Sequence, residues 1–130
     1  MIIEGKIPCA KIYEDSDCIV FLDINPCAKG HSLVVPKKHF ETIYDIPDDL
    51  HSKLHIVAKK IAKRHKEILM CDGANVFQNV NKCGGQEVLH YHLHIVPRYN
   101  TDKKTFKFNL HDRYIDGEIK SFADKLSIKK

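Results

Sequence analysis

Only one long stretch of this chain repeats with the period of a helix, and it lies between short runs that alternate or are apolar throughout. Residues 47–70 place Leu50, Leu54, Val57, Ala58, Ile61, Ala62, Ile68 and Leu69 along one side of a 3.6-residue spiral. Pro47, Asp48 and Asp49 stand at its start, where a fixed φ and negative charge favour a helix N-terminus. Cys71-Asp72-Gly73 ends it, with Gly73 predicted as the C-terminal cap. Strands are predicted before it at residues 10–14, 18–24 and 31–35, and after it at 74–80 and 88–96. Asp15-Ser16-Asp17 supplies one turn, Asn25-Pro26 through Gly30 another, and Pro36 stops the third strand. A weaker helix is predicted near 113–127. Short links between strands predict an antiparallel meander of five strands, covered on one face by a helix. This is the α+β class.

The last of these strands carries the chemistry. Residues 90–94 read His-Tyr-His-Leu-His. On a strand, His90, His92 and His94 share one face while Tyr91, Leu93 and Ile95 point to the other. Three titratable rings in a row are not a packing device, because each loses solvation on burial and needs hydrogen-bond partners. Gly84-Gly85-Gln86 precedes the row and permits a turn whose backbone amides can cradle an anion. Three uses are open at this point: chelation of a metal, nucleophilic attack on phosphorus by a neutral imidazole, or a solvated sheet face.

Composition narrows the surroundings. A chain of 130 residues is one domain, large enough to bury a core without cross-links. A net charge of +4, with scattered lysines, predicts no nucleic-acid partner. No apolar run approaches the length of a membrane span and no secretory signal is visible, so a cytoplasmic location is expected. Five cysteines without a close C-x-x-C pair are expected to be reduced and mostly buried.

Gln86 to Arg98, with His-Tyr-His-Leu-His at its centre, resembles the signature of the histidine-triad superfamily, in which the histidines alternate with apolar residues. The segment Ile7 to Asp15 resembles that family's first hairpin. Phe21-Leu22-Asp23-Ile24-Asn25-Pro26 and Gly30 through His39 resemble its nucleotide-pocket strands. The likeness spans about residues 2–98, treated as the domain core (1–98), with 99–130 as an extension packed on the same domain. It points to the bacterial-type branch of histidine-triad nucleotide-binding proteins.

The resemblance implies a homodimer whose sheets join, and a purine nucleotide as substrate. His92 would be the nucleophile, His90 would orient it, and His94 would face the phosphate and leaving group. Gln86 and Asn79 would bind on the phosphate side, and Asp23 would bind the ribose hydroxyls. Ile2, Ile7, Phe21, Ile24 and Leu33 would line the base slot, with His31 and His39 near the triad. Glu87 occupies a position where other branches carry Ser or Thr, so leaving-group protonation would pass elsewhere. No cofactor is implied for the chemistry. Zinc has only His39 and Cys9 as candidate ligands, and Cys9 has no partner three residues away. The reaction implied is cleavage at the α-phosphate of a phosphoramidate or dinucleoside polyphosphate through a nucleotidyl-His92 intermediate, releasing a nucleoside monophosphate. The alternatives are a weakly catalytic nucleotide-binding or scaffold protein, and a metal-dependent hydrolase with His90 and His92 as ligands.

Overall fold

The computed structural model describes residues 10–105 and 111–128. Five strands, β1 (Lys11–Glu14), β2 (Cys18–Leu22), β3 (Ser32–Pro36), β4 (Gly73–Phe77) and β5 (Leu93–Arg98), form one sheet. Helix α1 (Asp48–Leu69) connects β3 to β4, and α2 (Glu118–Leu126) lies near the C-terminus. Every strand pairing is antiparallel. The architecture is α+β, as the pattern predicts.

The strand order is β1-β2-β3-β5-β4, so the meander holds for the first three strands only. A helix of 22 residues is about 33 Å long, enough to carry the chain past a neighbouring strand position before β4 begins. β5 then returns into the gap and pairs with both β3 and β4. This insertion puts the histidine segment in the middle of the sheet.

Alternation sorts the two faces. Cys18, Val20, Val34, Leu93 and Ile95 join Leu54, Val57, Ala58 and Ile61 of α1 in the core, with Tyr91 fully buried beside them. The helix stripe expected from sequence is correct at its centre but not at its end, where Ile68 and Leu69 are exposed. Strands of five residues are about 17 Å long, so a helix twice that length overhangs the sheet. Helix α1 stops at Met70, which adopts the left-handed conformation (φ 56°). The cap is therefore Met70 and not Gly73, which already begins β4.

The histidine segment is also less regular than predicted. β5 starts at Leu93, so His90, Tyr91 and His92 form the extended lead into it. Alternating burial nevertheless persists: the three histidines are half-buried, while Tyr91, Leu93 and Ile95 are buried.

After β5 the chain folds back. Asp102 accepts from Arg98 Nε (2.8 Å) and Nη2 (3.0 Å), and Arg98 Nη1 donates to Asn75 Oδ1 (2.7 Å). Helix α2 has no buried residue. Of the described cysteines only Cys18 is buried, where desolvation pushes its thiol up to about 12. Cys27, in a loop, and Cys83, in the short 3-10 turn Lys82–Gly84, are exposed, contrary to the expectation of mostly buried thiols. No described helix is long and apolar enough to cross a membrane.

Candidate active site

The hydrogen bonds fix the proton positions of the central histidines. His92 Nδ1 lies 2.6 Å from the carbonyl oxygen of His90. A carbonyl can only accept, so Nδ1 carries the proton and, in the neutral ring, Nε2 carries the free lone pair. His90 Nε2 donates to the carbonyl of Pro36 (2.9 Å). Burial, offset in part by that carbonyl, holds His90 below its ordinary value, so the ring is neutral near pH 7 and its Nδ1 is an acceptor. His39 Nδ1, at 3.0 Å, is the donor to it. Both nitrogens of His90 are thus occupied.

A second chain of bonds sets His94. The main-chain amide of Cys27 donates to His31 Nδ1 (3.1 Å), which leaves the proton of neutral His31 on Nε2. That Nε2 lies 2.9 Å from His94 Nδ1 and donates to it. Neutral His94 then presents an Nε2–H, which has no acceptor among the described residues. Burial, helped by the neighbouring His92 and His31, pushes His94 down to about 4. It is therefore an uncharged donor near pH 7. His31 is buried and lowered by the same desolvation, against the pull of Asp23.

Strand register completes the wall. Phe21 pairs with Leu33, Leu33 with His94, and His94 with Phe77, so these four side chains form a row on the face away from the core. Phe77 stacks on His94 with ring centroids 4.5 Å apart and planes 4° from parallel. His92 meets His94 edge-on at 4.9 Å. Phe77 is absent from the residues that the sequence singles out. Its phase carries a signal all the same: it lies two residues before Asn79, hence on the same face of a strand.

The remaining predicted residues are placed as follows. Asp23 Oδ1 accepts from the amide of Asn25 (2.9 Å), and Oδ2 lies 3.9 Å from His31 Nε2. Gln86 is buried and its amide is already engaged. Its Oε1 accepts from the Asn81 amide (2.7 Å), and its Nε2 donates to the carbonyls of Glu41 (2.8 Å) and Val88 (3.0 Å). Its place in this structure is as a brace of the loop before the triad, so a direct contact to phosphate requires one of these bonds to break. Asn79 lies against Gly85, which takes the left-handed conformation (φ 93°) that favours glycine. Glu87 is exposed, and Ile24 is 89 % exposed, on the rim and not in a slot. Ile2, Ile7 and Cys9 lie outside the described residues.

Asp23, His31 and His94 bring three potential metal-ligand atoms within 4.8 Å of one another. The hydrogen bonds do not suit chelation there. The Cys27 amide holds His31 Nδ1 as an acceptor, so Nε2 of the neutral ring carries a proton where a metal would need a lone pair. The expected zinc candidate His39 is likewise committed at Nδ1, leaving only its Nε2.

A small antiparallel sheet backed by one helix carries a central histidine whose Nε2 has no proton in the neutral ring, beside a neighbouring neutral histidine donor. The chain belongs to the HIT domain family, whose family model matches residues 4–101. It is 44 % identical over 120 residues to an uncharacterized HIT-like protein of Methanocaldococcus jannaschii, covering 92 % of this chain and 86 % of that one. It is 41 % identical over 97 residues to the adenosine 5'-monophosphoramidase HNT1 of Saccharomyces cerevisiae (75 % and 59 % covered). With the adenylylsulfatase HINT3 of Arabidopsis thaliana it shares 37 % over 105 residues (78 % and 51 % covered). The crystal structure of a HIT family member from Bacillus subtilis superimposes with a TM-score of 0.84 at 37 % identity, covering 99 % of this chain and 95 % of that one. The family thus includes hydrolases that process nucleotides.

Proposed function

We propose that this protein is a nucleotide hydrolase or transferase acting at the α-phosphate of a purine nucleotide derivative through a nucleotidyl-His92 intermediate. The observation that carries the reading is the 2.6 Å contact of His92 Nδ1 with the His90 carbonyl. It keeps Nδ1 protonated and leaves Nε2 as a bare lone pair, and as positive charge develops on the attacking ring the same carbonyl stabilises it. In the first step Nε2 forms a bond to phosphorus and the leaving group departs with the electrons of the broken bond. The Nε2–H of His94 donates to an oxygen of the phosphoryl group or leaving group. In the second step water attacks phosphorus and loses a proton to solvent, the P–N bond breaks with its electron pair returning to Nε2, and the monophosphate leaves.

His90 acts as a positioning residue, since its ring is tied to Pro36 and His39 while its carbonyl holds His92. The same geometry disfavours the rival with His90 and His92 as metal ligands. His90 has no free nitrogen, and chelation would require breaking its bond to Pro36 or to His39. No metal is required by the mechanism. Asp23 is assigned to the ribose hydroxyls, and Phe21 and Leu33 to the base. A homodimer is part of this reading and rests on the family resemblance.

The test is turnover of adenosine phosphoramidate and of a diadenosine polyphosphate, followed by monophosphate release. His92→Asn is expected to lower turnover by at least about a thousandfold while binding of the monophosphate persists. A His92→Asn protein with wild-type turnover would rule out the nucleophile assignment. Loss of wild-type activity on chelation, restored by one added metal, would favour the metal-dependent alternative.

A further inference from the structure

We infer that His65 of α1 is a positioning residue for the reaction proposed above, and rests with that proposal on the roles of His31 and His94. Through the Ser32 hydroxyl, His65 fixes the peptide plane between Gly30 and His31, and so the ring of His31 that donates to His94. The buried residues of α1 are Leu54, Val57, Ala58, Ile61 and His65, so a single polar side chain interrupts an apolar stripe. It lies on the opposite face of the sheet from the triad.

The proton of His65 can be placed. The Gly30 carbonyl can only accept, so the Ser32 hydroxyl donates to it (2.8 Å). With that proton spent, Ser32 Oγ accepts from His65 Nε2, 3.0 Å away. Burial lowers His65, so its ring is neutral near pH 7 and Nε2 carries the one proton. Nδ1 is then a buried acceptor without a partner among the described residues. A buried polar atom left unpaired is a cost that Leu or Ile at this position would not incur. Packing alone does not account for a histidine here; the bond made by Nε2 does.

What that bond supports is His31. The carbonyl of Gly30 and the N–H of His31 belong to one planar peptide unit. Ser32 holds the carbonyl end, and the Ala28 carbonyl accepts from the N–H end (2.9 Å). Ser32 is fully buried, and Gly30 takes the left-handed conformation (φ 98°) against Leu69 of α1. Ser32 meets α1 on one face while the adjacent His31 meets His94 on the other. The His31 ring spans the Cys27 amide (3.1 Å) and His94 Nδ1 (2.9 Å). Rotation of the peptide plane would carry the ring with it, and a hydrogen bond weakens steeply as its angle closes.

The experiment combines turnover of adenosine phosphoramidate with NMR of the histidine ring nitrogens. It uses the full chain as wild type, Ser32→Ala, His65→Leu and His65→Gln. Ser32→Ala removes only a hydroxyl, and a Gln amide donates from about the position of imidazole Nε2. In Ser32→Ala and His65→Leu, kcat is expected to fall about threefold to tenfold while the Kd for adenosine monophosphate stays within about twofold. His65→Gln should recover most of that loss. In the two disabled variants the ring nitrogens of His31 should move from the separated shifts of one tautomer toward the averaged shifts of a mixture, and in His65→Gln they should not. Unchanged His31 shifts in Ser32→Ala would overturn the proposal, whatever the stability of the variant. So would a kcat loss in His65→Gln equal to that in His65→Leu. Wild-type turnover that does not depend on His92 would instead sink the proposed function, and the ring shifts would still decide whether His65 holds His31.

Discussion

Lowering the pH from 7 to 5 should destabilise this protein chiefly through its buried histidines, and His94 allows the size to be worked out. Its value falls from 6.5 to about 4 because burial disfavours the charged ring. Above 6.5 the ring is neutral in the folded and the unfolded chain, and the native state has its full stability. Below 6.5 the unfolded chain takes up a proton that the folded chain refuses, so stability falls with pH until the folded ring itself titrates near 4. At pH 5 the linkage amounts to at most about 2 kcal/mol from this residue, with some reduction because the ring is only half-buried. His31, His65 and His90 are lowered in the same direction by burial and add to the slope. Glu14 and Asp102 are held low by Lys11 and Arg98, so their loss falls mainly beneath this window. The chain has no tryptophan, so urea unfolding is best followed by helical circular dichroism at a series of pH values. Wild type should lose stability between pH 7 and 5, and His94→Gln should lose less over the same interval, by about the amount assigned to His94. Equal pH slopes for the two proteins would refute the reasoning.

Two further outcomes are expected. His31→Gln removes the donor that fixes the His94 tautomer, and turnover should fall about tenfold to a hundredfold with a shifted pH profile, measured by phosphoramidate hydrolysis. Gly30 adopts φ 98° at the turn into β3, and an added Cβ would lie 2.7 Å from Leu69 Cδ1, so Gly30→Ala should lower unfolding stability by about 1–2 kcal/mol in the same urea assay.

Relations within one segment are legible from the residues alone. The phase of Leu54, Val57, Ala58 and Ile61 identifies the buried side of α1, because neighbours on a helix face recur every three or four residues. The alternation through Tyr91, Leu93 and Ile95 separates core from site in the same way. It shows that His90, His92 and His94 share a face, and the wider likeness points to His92 as the reactive ring. Local pattern is less informative at ends. Met70 caps α1 in a conformation that its residue type does not advertise. The loop before Gln86 turns at Gly85, while Gly84 lies in a short helical turn.

The carbonyl that sets the His92 tautomer is local, but how His90 and His94 are protonated is set by segments far apart in the chain. His94 receives its bond from His31, 63 residues earlier, and His90 finds its acceptor in Pro36, 54 residues earlier. His51 reaches Tyr91 across 40 residues. These contacts exist because β5 enters the sheet between β3 and β4, a strand order that no run of residues encodes by itself. A tautomer depends on what lies opposite each ring nitrogen, and that is a property of distant segments brought together. Residue order alone puts three imidazoles in a row; the fold occupies both nitrogens of His90 and leaves Nε2 of His92 and of His94 without a partner among the described residues.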